Sequence, residues 1–323
     1  MNAKIQHLSA SDAGVISLGG ELTINRLGYG AMRISGEGIW GPPKNWKQAL
    51  AVLRRAVELD VNFIDTADSY GPGVSEEIIA EALSPYAAGL VIATKGGWNR
   101  PGPDQWTHDA SPEHLRAALE GSLRRLRLER VDLYQLHAPD PSVSFESSVE
   151  TLAQLREEGK IRLVALSNVT REHIDRARKI VPIASVQNRY SFADREWDYV
   201  VNYCQQNAIA FIPWFPLGAG KISDQMLNRI AKRYDATPMQ VALAWLLQRS
   251  SVMLPIPGTS SVEHLEENVA SASIRLTPEE YNMLSESWLK PRNQPPDRPP
   301  LPSQRLPPSE ASRTGTSFPV TTT

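Results

Sequence analysis

Short apolar runs alternate along the chain with longer stretches in which apolar residues recur every three or four positions. The runs predict eight strands: Asn25–Ala31, Val61–Thr66, Leu90–Lys95, Val131–His137, Ile161–Ser167, Ile183–Gln187, Ile209–Trp214 and Val252–Pro257. Between them, helical periodicity predicts helices over Trp46–Leu59, Ser75–Leu83, Pro112–Leu126, Phe145–Glu158, Arg171–Ile180, Arg195–Gln206 and one long helical region from Asp224 to Arg249. Ser111 before Pro112 and Thr237 before Pro238 read as helix starts. Strands rich in Val, Ile and Leu, each followed by a helix, indicate a parallel sheet covered on its outer side. Closure into a (β/α)8 TIM barrel is the economical solution. A doubly wound sheet would want a Gly-rich phosphate turn opening a helix, and "GYGAMRISGEG" after the first strand lacks that pattern.

Two flanking segments complete the outline. "GVISLGGELTINRLG", with Gly19-Gly20 between alternating runs, predicts an N-terminal β-hairpin closing the barrel bottom. From residue 289 the chain is packed with Pro, Ser, Thr and Arg, a composition that buries too little apolar surface to offset its ordering entropy. The expected organisation is therefore a barrel over 1–288 and a disordered tail over 289–323.

Composition narrows the function classes. With 41% hydrophobic residues, 22% charged residues and a formal net charge of -2, nothing asks for nucleic acid or an anionic membrane as partner. Cys204 is the only cysteine, so neither an internal disulfide nor a cysteine zinc site is expected. The first residues lack the apolar stretch of a secretory signal, and no run approaches the roughly 18 apolar residues of a spanning helix. The expectation is a soluble, cytoplasmic protein, monomeric or weakly homo-oligomeric.

The polar residues stand where a barrel carries its chemistry, at the carboxyl ends of the strands. Strand two ends in Asp65 with Tyr70 just beyond it, strand three in Lys95, strand four in His137, strand five in Ser167-Asn168 and strand six in Gln187. A tyrosine has an unperturbed pKa of about 10, and a neighbouring ammonium stabilises its phenolate. Lys95 could lower the Tyr70 pKa in this way, held by Asp65 as its ion-pair partner. A neutral His137 could orient and polarise a carbonyl. Singly each has a bland alternative, as a cap, a solvated lysine, a core histidine or a packing tyrosine; at consecutive strand ends they suit proton delivery to an oxygen gaining negative charge. Asp68 reads as a solvated turn residue. A metal centre would need converging imidazoles and carboxylates, and Lys95 would intrude as a cation, so no metal is expected.

These segments resemble the aldo-keto reductases: "NFIDTADSYG", "ATKGG", "DLYQLHAPD", "LVALSNV", "VQNRYS", "IPWFPLGAG" and "IPGTSSVEHLEENVAS" follow that family's order across Ile16–Trp288. The resemblance implies that Tyr70 is the general acid, Lys95 and Asp65 its partners, and His137 the group orienting a small-molecule carbonyl substrate. It implies NADPH as cofactor. Ser167, Asn168 and Gln187 would hold the nicotinamide carboxamide, Trp214 would stack on the ring, and Gly30, Ala31 and Met32 would border it. Phe215, Leu217 and Gly218 would follow the pyrophosphate; Gly258, Ser260, His264, Glu267 and Asn268 would meet the adenosine end. Independently, Ser260 and Ser261 open a helix whose free N–H groups favour an anion.

Two departures stand out. Gly258 and His264 occupy places where many members carry cations near the 2′-phosphate, which leaves NADH use open. Ala138 follows His137 in place of a frequent tryptophan. Trp40, Trp98, Trp106 and Tyr190 are the expected pocket walls, on loops suited to flat carbonyl substrates such as pyridoxal or another aromatic aldehyde. The alternative role is a regulatory or redox-sensing subunit that binds NADPH and turns over slowly.

Overall fold

The computed structural model describes residues 8–218 and 224–287. Its first elements are the antiparallel strands β1 (Val15–Leu18) and β2 (Leu22–Asn25). Ile16, Leu18 and Ile24 point from this hairpin into the main core. At Gly19 (φ +61°) a Cβ would lie 2.8 Å from the Leu163 side chain, so the turn fits against the barrel only as glycine. The expected bottom-closing hairpin is present.

After it come β3 (Tyr29–Gly30), α1 (Trp46–Glu58), β4 (Phe63–Asp65), α2 (Val74–Leu83) and β5 (Val91–Gly96). A second hairpin, β6 (Trp98–Gly102) and β7 (Gln105–His108), precedes α3 (Pro112–Leu126). The chain continues through β8 (Val131–Leu136), α4 (Phe145–Glu157), β9 (Ile161–Ser167), α5 (Arg171–Ala177), β10 (Ile183–Arg189), α6 (Asp198–Gln206) and β11 (Ala210–Trp214). It ends in α7 (Gln225–Arg233), α8 (Pro238–Arg249), α9 (Val262–Ala270) and α10 (Pro278–Ser287).

Seven strands pair in parallel in the order β3-β4-β5-β8-β9-β10-β11. Helices pack in sequence around them, and α1 touches both α2 and α9, which closes the outer ring. The predicted eighth strand does not form a ladder. Instead residues 252–257 run between β11 and β3: Phe211 N donates to Val252 O (2.8 Å), Leu254 N to Phe211 O (2.9 Å), and Gly28 N to Pro255 O (3.0 Å). Pro255 and Pro257 have no N–H to give, so the segment closes the barrel without becoming a regular strand.

Three further expectations are corrected. The predicted first strand is two pieces, because Asn25 ends β2 and only Tyr29–Gly30 pairs with β4. The long helical region is α7 and α8, since Thr237 starts a new helix with a capping box and Pro238 at its first turn. The stretch around Trp98 and Trp106 is the β6–β7 hairpin rather than a loop. The tail at 289–323 lies outside the described residues.

Candidate functional site

Three strands bring the polar residues together in register. β5 pairs with β8 so that Lys95 stands beside Gln135, while β4 ends with Asp65 facing the same interior. Lys95 Nζ donates to Asp65 Oδ1 (2.6 Å) and to Thr66 O (2.8 Å), and lies 3.4 Å from Tyr70 Oη. The other carboxylate oxygen, Oδ2, accepts from Gln135 Nε2 (2.8 Å) and Gln187 Nε2 (2.9 Å), and Gln187 Nε2 also reaches Gln135 Oε1 (3.2 Å). Every member of this network is buried, so an unpaired charge or amide would be costly here.

The electrostatics follow from burial. Burial penalises the Lys95 ammonium, but Asp65 and Tyr70 outweigh it and hold its pKa above the ordinary value, so it stays charged. For Tyr70 burial wins: its pKa is raised, with Lys95 pulling the other way. The expected net lowering is therefore corrected, and the phenol is protonated at neutral pH with an ammonium in place to receive its charge. Burial, then Lys95 and His108, push the His137 pKa well down, so its ring is neutral. Tyr70 and His137 meet edge to face, with centroids 5.9 Å apart and planes at 80°. Ser69 Oγ lies 3.4 Å from His137 Nδ1.

Asp68 is not a solvated turn residue. It is partly buried, its Oδ1 is enclosed without a hydrogen-bond partner, and burial together with Glu76 pushes its pKa up to about 8.

Aromatic side chains from β6 and β7 form one wall of the site. Trp98 and Trp106 present edges toward His137, at 6.2 and 6.5 Å between centroids, and His108 lies on Trp98 at 3.9 Å. Tyr190 does not join them. It is fully buried, stacked on Trp245 and edge-on to Phe211, with its hydroxyl donating to Asp198 (2.6 Å), because β10 turns that side chain toward the helices.

The opposite side carries the residues expected to hold a cofactor. Asn168, in the left-handed region (φ +58°), donates from Nδ2 to His137 O (2.9 Å) and Ser167 Oγ (3.1 Å) and accepts from Trp214 Nε1 (3.0 Å). One asparagine thus fixes both the His137 strand end and the indole of Trp214. Phe215 follows with φ +63°, a strained conformation for a bulky residue, at the end of β11. Leu217 and Gly218 come next, half-buried.

Gly30 and Gly258 approach each other across the closure. A Cβ on Gly30 would lie 2.7 Å from Ile256 O, and one on Gly258 would lie 2.5 Å from Gly30 O. The two glycines thus let the end of β3 and the closing segment pack backbone to backbone, with Ala31 and Met32 following on one side and Ser260 on the other. Ser261, not Ser260, caps α9 by accepting from His264 N (3.3 Å). His264 and Glu267 are exposed on α9 and Asn268 is buried. The donors present fit an amide-bearing ring: both Gln187 amide hydrogens are engaged, leaving a carbonyl to accept. Among the described residues no group of three or more His, Cys, Asp or Glu is placed to hold a metal, and no helix is long and apolar enough to cross a membrane.

The aldo/keto reductase family model matches residues 26–289. The chain belongs to the aldo-keto reductase family. It is 47% identical over 281 residues to an oxidoreductase of Schizosaccharomyces pombe, covering 86% of this chain and 91% of that protein. It is 44% identical over 273 residues to the pyridoxine 4-dehydrogenase of Escherichia coli, covering 82% and 95%. Among solved structures, an aldo-keto reductase from Klebsiella pneumoniae in complex with NADPH is similar at 27% identity and a TM-score of 0.73, over 88% of this chain and 98% of that one. This aldo-keto reductase is accordingly an oxidoreductase with a (β/α)8 barrel fold.

Three residues of the site were not anticipated. Gln135 has a trace in the sequence, as a polar side chain two positions before His137 and so on the same strand face. Ser69 hides inside "ADSY" as an ordinary turn serine. Arg100 has little local signal, because three of its four hydrogen bonds reach residues 31 to 62 positions away in the chain.

Proposed function

We propose that this aldo-keto reductase reduces an aldehyde or ketone to the alcohol with NADPH, Tyr70 giving the proton. The observation that carries the reading is the phenol of Tyr70, protonated by its surroundings and 3.4 Å from a lysine that is itself anchored on Asp65. When bound, NADPH supplies the hydride. As negative charge grows on the carbonyl oxygen, the Tyr70 hydroxyl transfers its proton, and the phenolate left behind is stabilised by the Lys95 ammonium. Asp65 keeps Lys95 charged, and Gln135 and Gln187 hold Asp65 in place by donating to its second oxygen. In this reading Ser69 donates to His137 Nδ1, 3.4 Å away, which assigns the proton of the neutral ring to Nε2, the donor that orients the substrate oxygen.

In this reading Ser167, Asn168 and Gln187 receive the nicotinamide carboxamide, the latter through its free carbonyl, and Trp214 covers the ring. Gly30, Ala31 and Met32 border that ring. Phe215, Leu217 and Gly218 line the pyrophosphate, and Gly258, Ser260, His264, Glu267 and Asn268 meet the adenosine end. The Klebsiella pneumoniae complex with NADPH supports the choice of cofactor. The name of the Escherichia coli relative and the tryptophans beside His137 support pyridoxal, or another aromatic aldehyde, as substrate. Loss of NADPH absorbance with pyridoxal, benzaldehyde and simple ketones, run beside NADH, tests the proposal. No reduction of any carbonyl by either cofactor would overturn it.

A further inference from the structure

Arg100 lies on β6 and is held by parts of the chain remote in sequence. Its Nη1 donates to Ile39 O (2.9 Å) and Ser69 O (3.0 Å), its Nη2 to Gly38 O (3.0 Å) and its Nε to Gln105 O (2.9 Å). Its guanidinium carbon lies 3.8 Å from the ring centroid of Trp106 and 5.6 Å from that of Trp40. The residue is only 8% exposed. A buried guanidinium whose four hydrogen bonds all go to neutral carbonyls is unusual, since a desolvated charge normally meets a carboxylate. Burial lowers its pKa, with Asp104 and Tyr70 pulling the other way.

The partners explain the arrangement. Gly38, Ile39 and Trp40 belong to the β3–α1 loop, Ser69 to the turn that carries Tyr70, and Gln105 and Trp106 to β7. These three segments lie around Tyr70 and the tryptophan wall, and the Arg100 side chain bonds to all of them.

We propose that Arg100 is a positioning residue for substrate selection: it pins the three segments so that Trp106 and Trp98 stand as a preformed aromatic wall beside His137, favouring flat aromatic aldehydes over small aliphatic ones. The inference rests on the carbonyl-reductase reading and says which carbonyls the site prefers. A wall ordered before binding spares the ligand the cost of ordering it, and the benefit goes to a substrate large enough to touch the wall. A lysine cannot replace the arginine, because three donors on one nitrogen cannot span carbonyls on separate loops while stacking on an indole.

The test compares wild type, Arg100→Lys, Trp106→Leu and the double variant, with benzaldehyde and propanal at saturating NADPH, together with amide hydrogen exchange across the barrel. The expected result is an aromatic-to-aliphatic ratio of kcat/KM that falls about tenfold in each single variant and no further in the double. The loss appears mainly in KM for benzaldehyde, NADPH affinity is unchanged, and exchange in Arg100→Lys rises selectively at 36–41, 67–70 and 98–108. An unchanged ratio, equal losses for both aldehydes, or multiplying effects in the double variant would overturn the proposal. Trp106→Leu removes the wall and the stack on Arg100 but leaves the four carbonyl bonds of the arginine in place, so it decides the ratio even if Arg100→Lys does not fold. A wild type that reduces neither these aldehydes nor any other carbonyl with either cofactor would sink the carbonyl-reductase reading instead, and the exchange pattern would still decide whether Arg100 pins the loops.

Discussion

Lys95 Nζ lies 2.6 Å from Asp65 Oδ1 and 3.4 Å from Tyr70 Oη, so a single buried cation is shared between a carboxylate and a phenol. Removing it with Lys95→Met strands the carboxylate of Asp65 with only two amide donors. Breaking one side of a buried pair costs about 3–5 kcal/mol. Urea denaturation at neutral pH should show a loss of that size, and a variant as stable as wild type would contradict the pairing.

Asp68 gives the protein a pH dependence of known sign. An aspartate carboxyl ordinarily titrates near 3.8, and burial pushes this one up to about 8 in the fold. Within that window the folded state holds more protons than the unfolded one, so this group's contribution makes stability fall as pH rises. Asp68→Asn removes the contribution. Thermal melts should show the variant gaining on wild type between about pH 5 and about pH 8. A difference that stays constant over that range would show that Asp68 is ionised throughout.

Gln135 is the link between Asp65 and Gln187. Gln135→Leu preserves much of its volume but takes one donor from Asp65 Oδ2 and the acceptor from Gln187. Leaving buried polar groups short of partners costs about 1–3 kcal/mol each. The denaturation midpoint should move accordingly, and Gln135→Glu should be worse because it sets a second carboxylate against Asp65.

Trp214 is held by Asn168 rather than by packing alone. If its face covers the nicotinamide, Trp214→Ala should weaken NADPH binding about tenfold, the equivalent of about 1.4 kcal/mol. Titration by cofactor fluorescence measures it. Equal affinity in the variant would move the ring away from Trp214.

How much of this was legible in the sequence depends on where each residue stands. Asp65, Lys95 and His137 each end an apolar run, and a polar residue there has no solvated face to occupy, so the strand pattern itself exposes them. Gln135 sits inside a run, where one polar residue reads as tolerated rather than placed. The apolar content of 252–257 reads as a strand, but Pro255 and Pro257 remove the donors a ladder needs. In the β6–β7 hairpin, Pro101 and Gly102 give a loop-like composition to residues that pair nonetheless. Tyr190 looked like a pocket residue because it follows Gln187 and Asn188, whereas its side chain faces Trp245. Asp68 takes its character from burial and from Glu76 on α2, and Arg100 mainly from carbonyls of the β3–α1 loop and of the turn before Tyr70. No periodicity encodes such contacts.

The central claim is that Tyr70 delivers the proton. Its most direct test is kcat/KM for benzaldehyde reduction by Tyr70→Phe, measured together with NADPH affinity in the same variant. Loss of a positioned general acid is expected to lower the rate about 10²–10⁴-fold, with cofactor affinity unchanged because the hydroxyl bonds only toward Lys95. Turnover close to that of wild type would contradict the account, since the phenol 3.4 Å from Lys95 would then be a bystander.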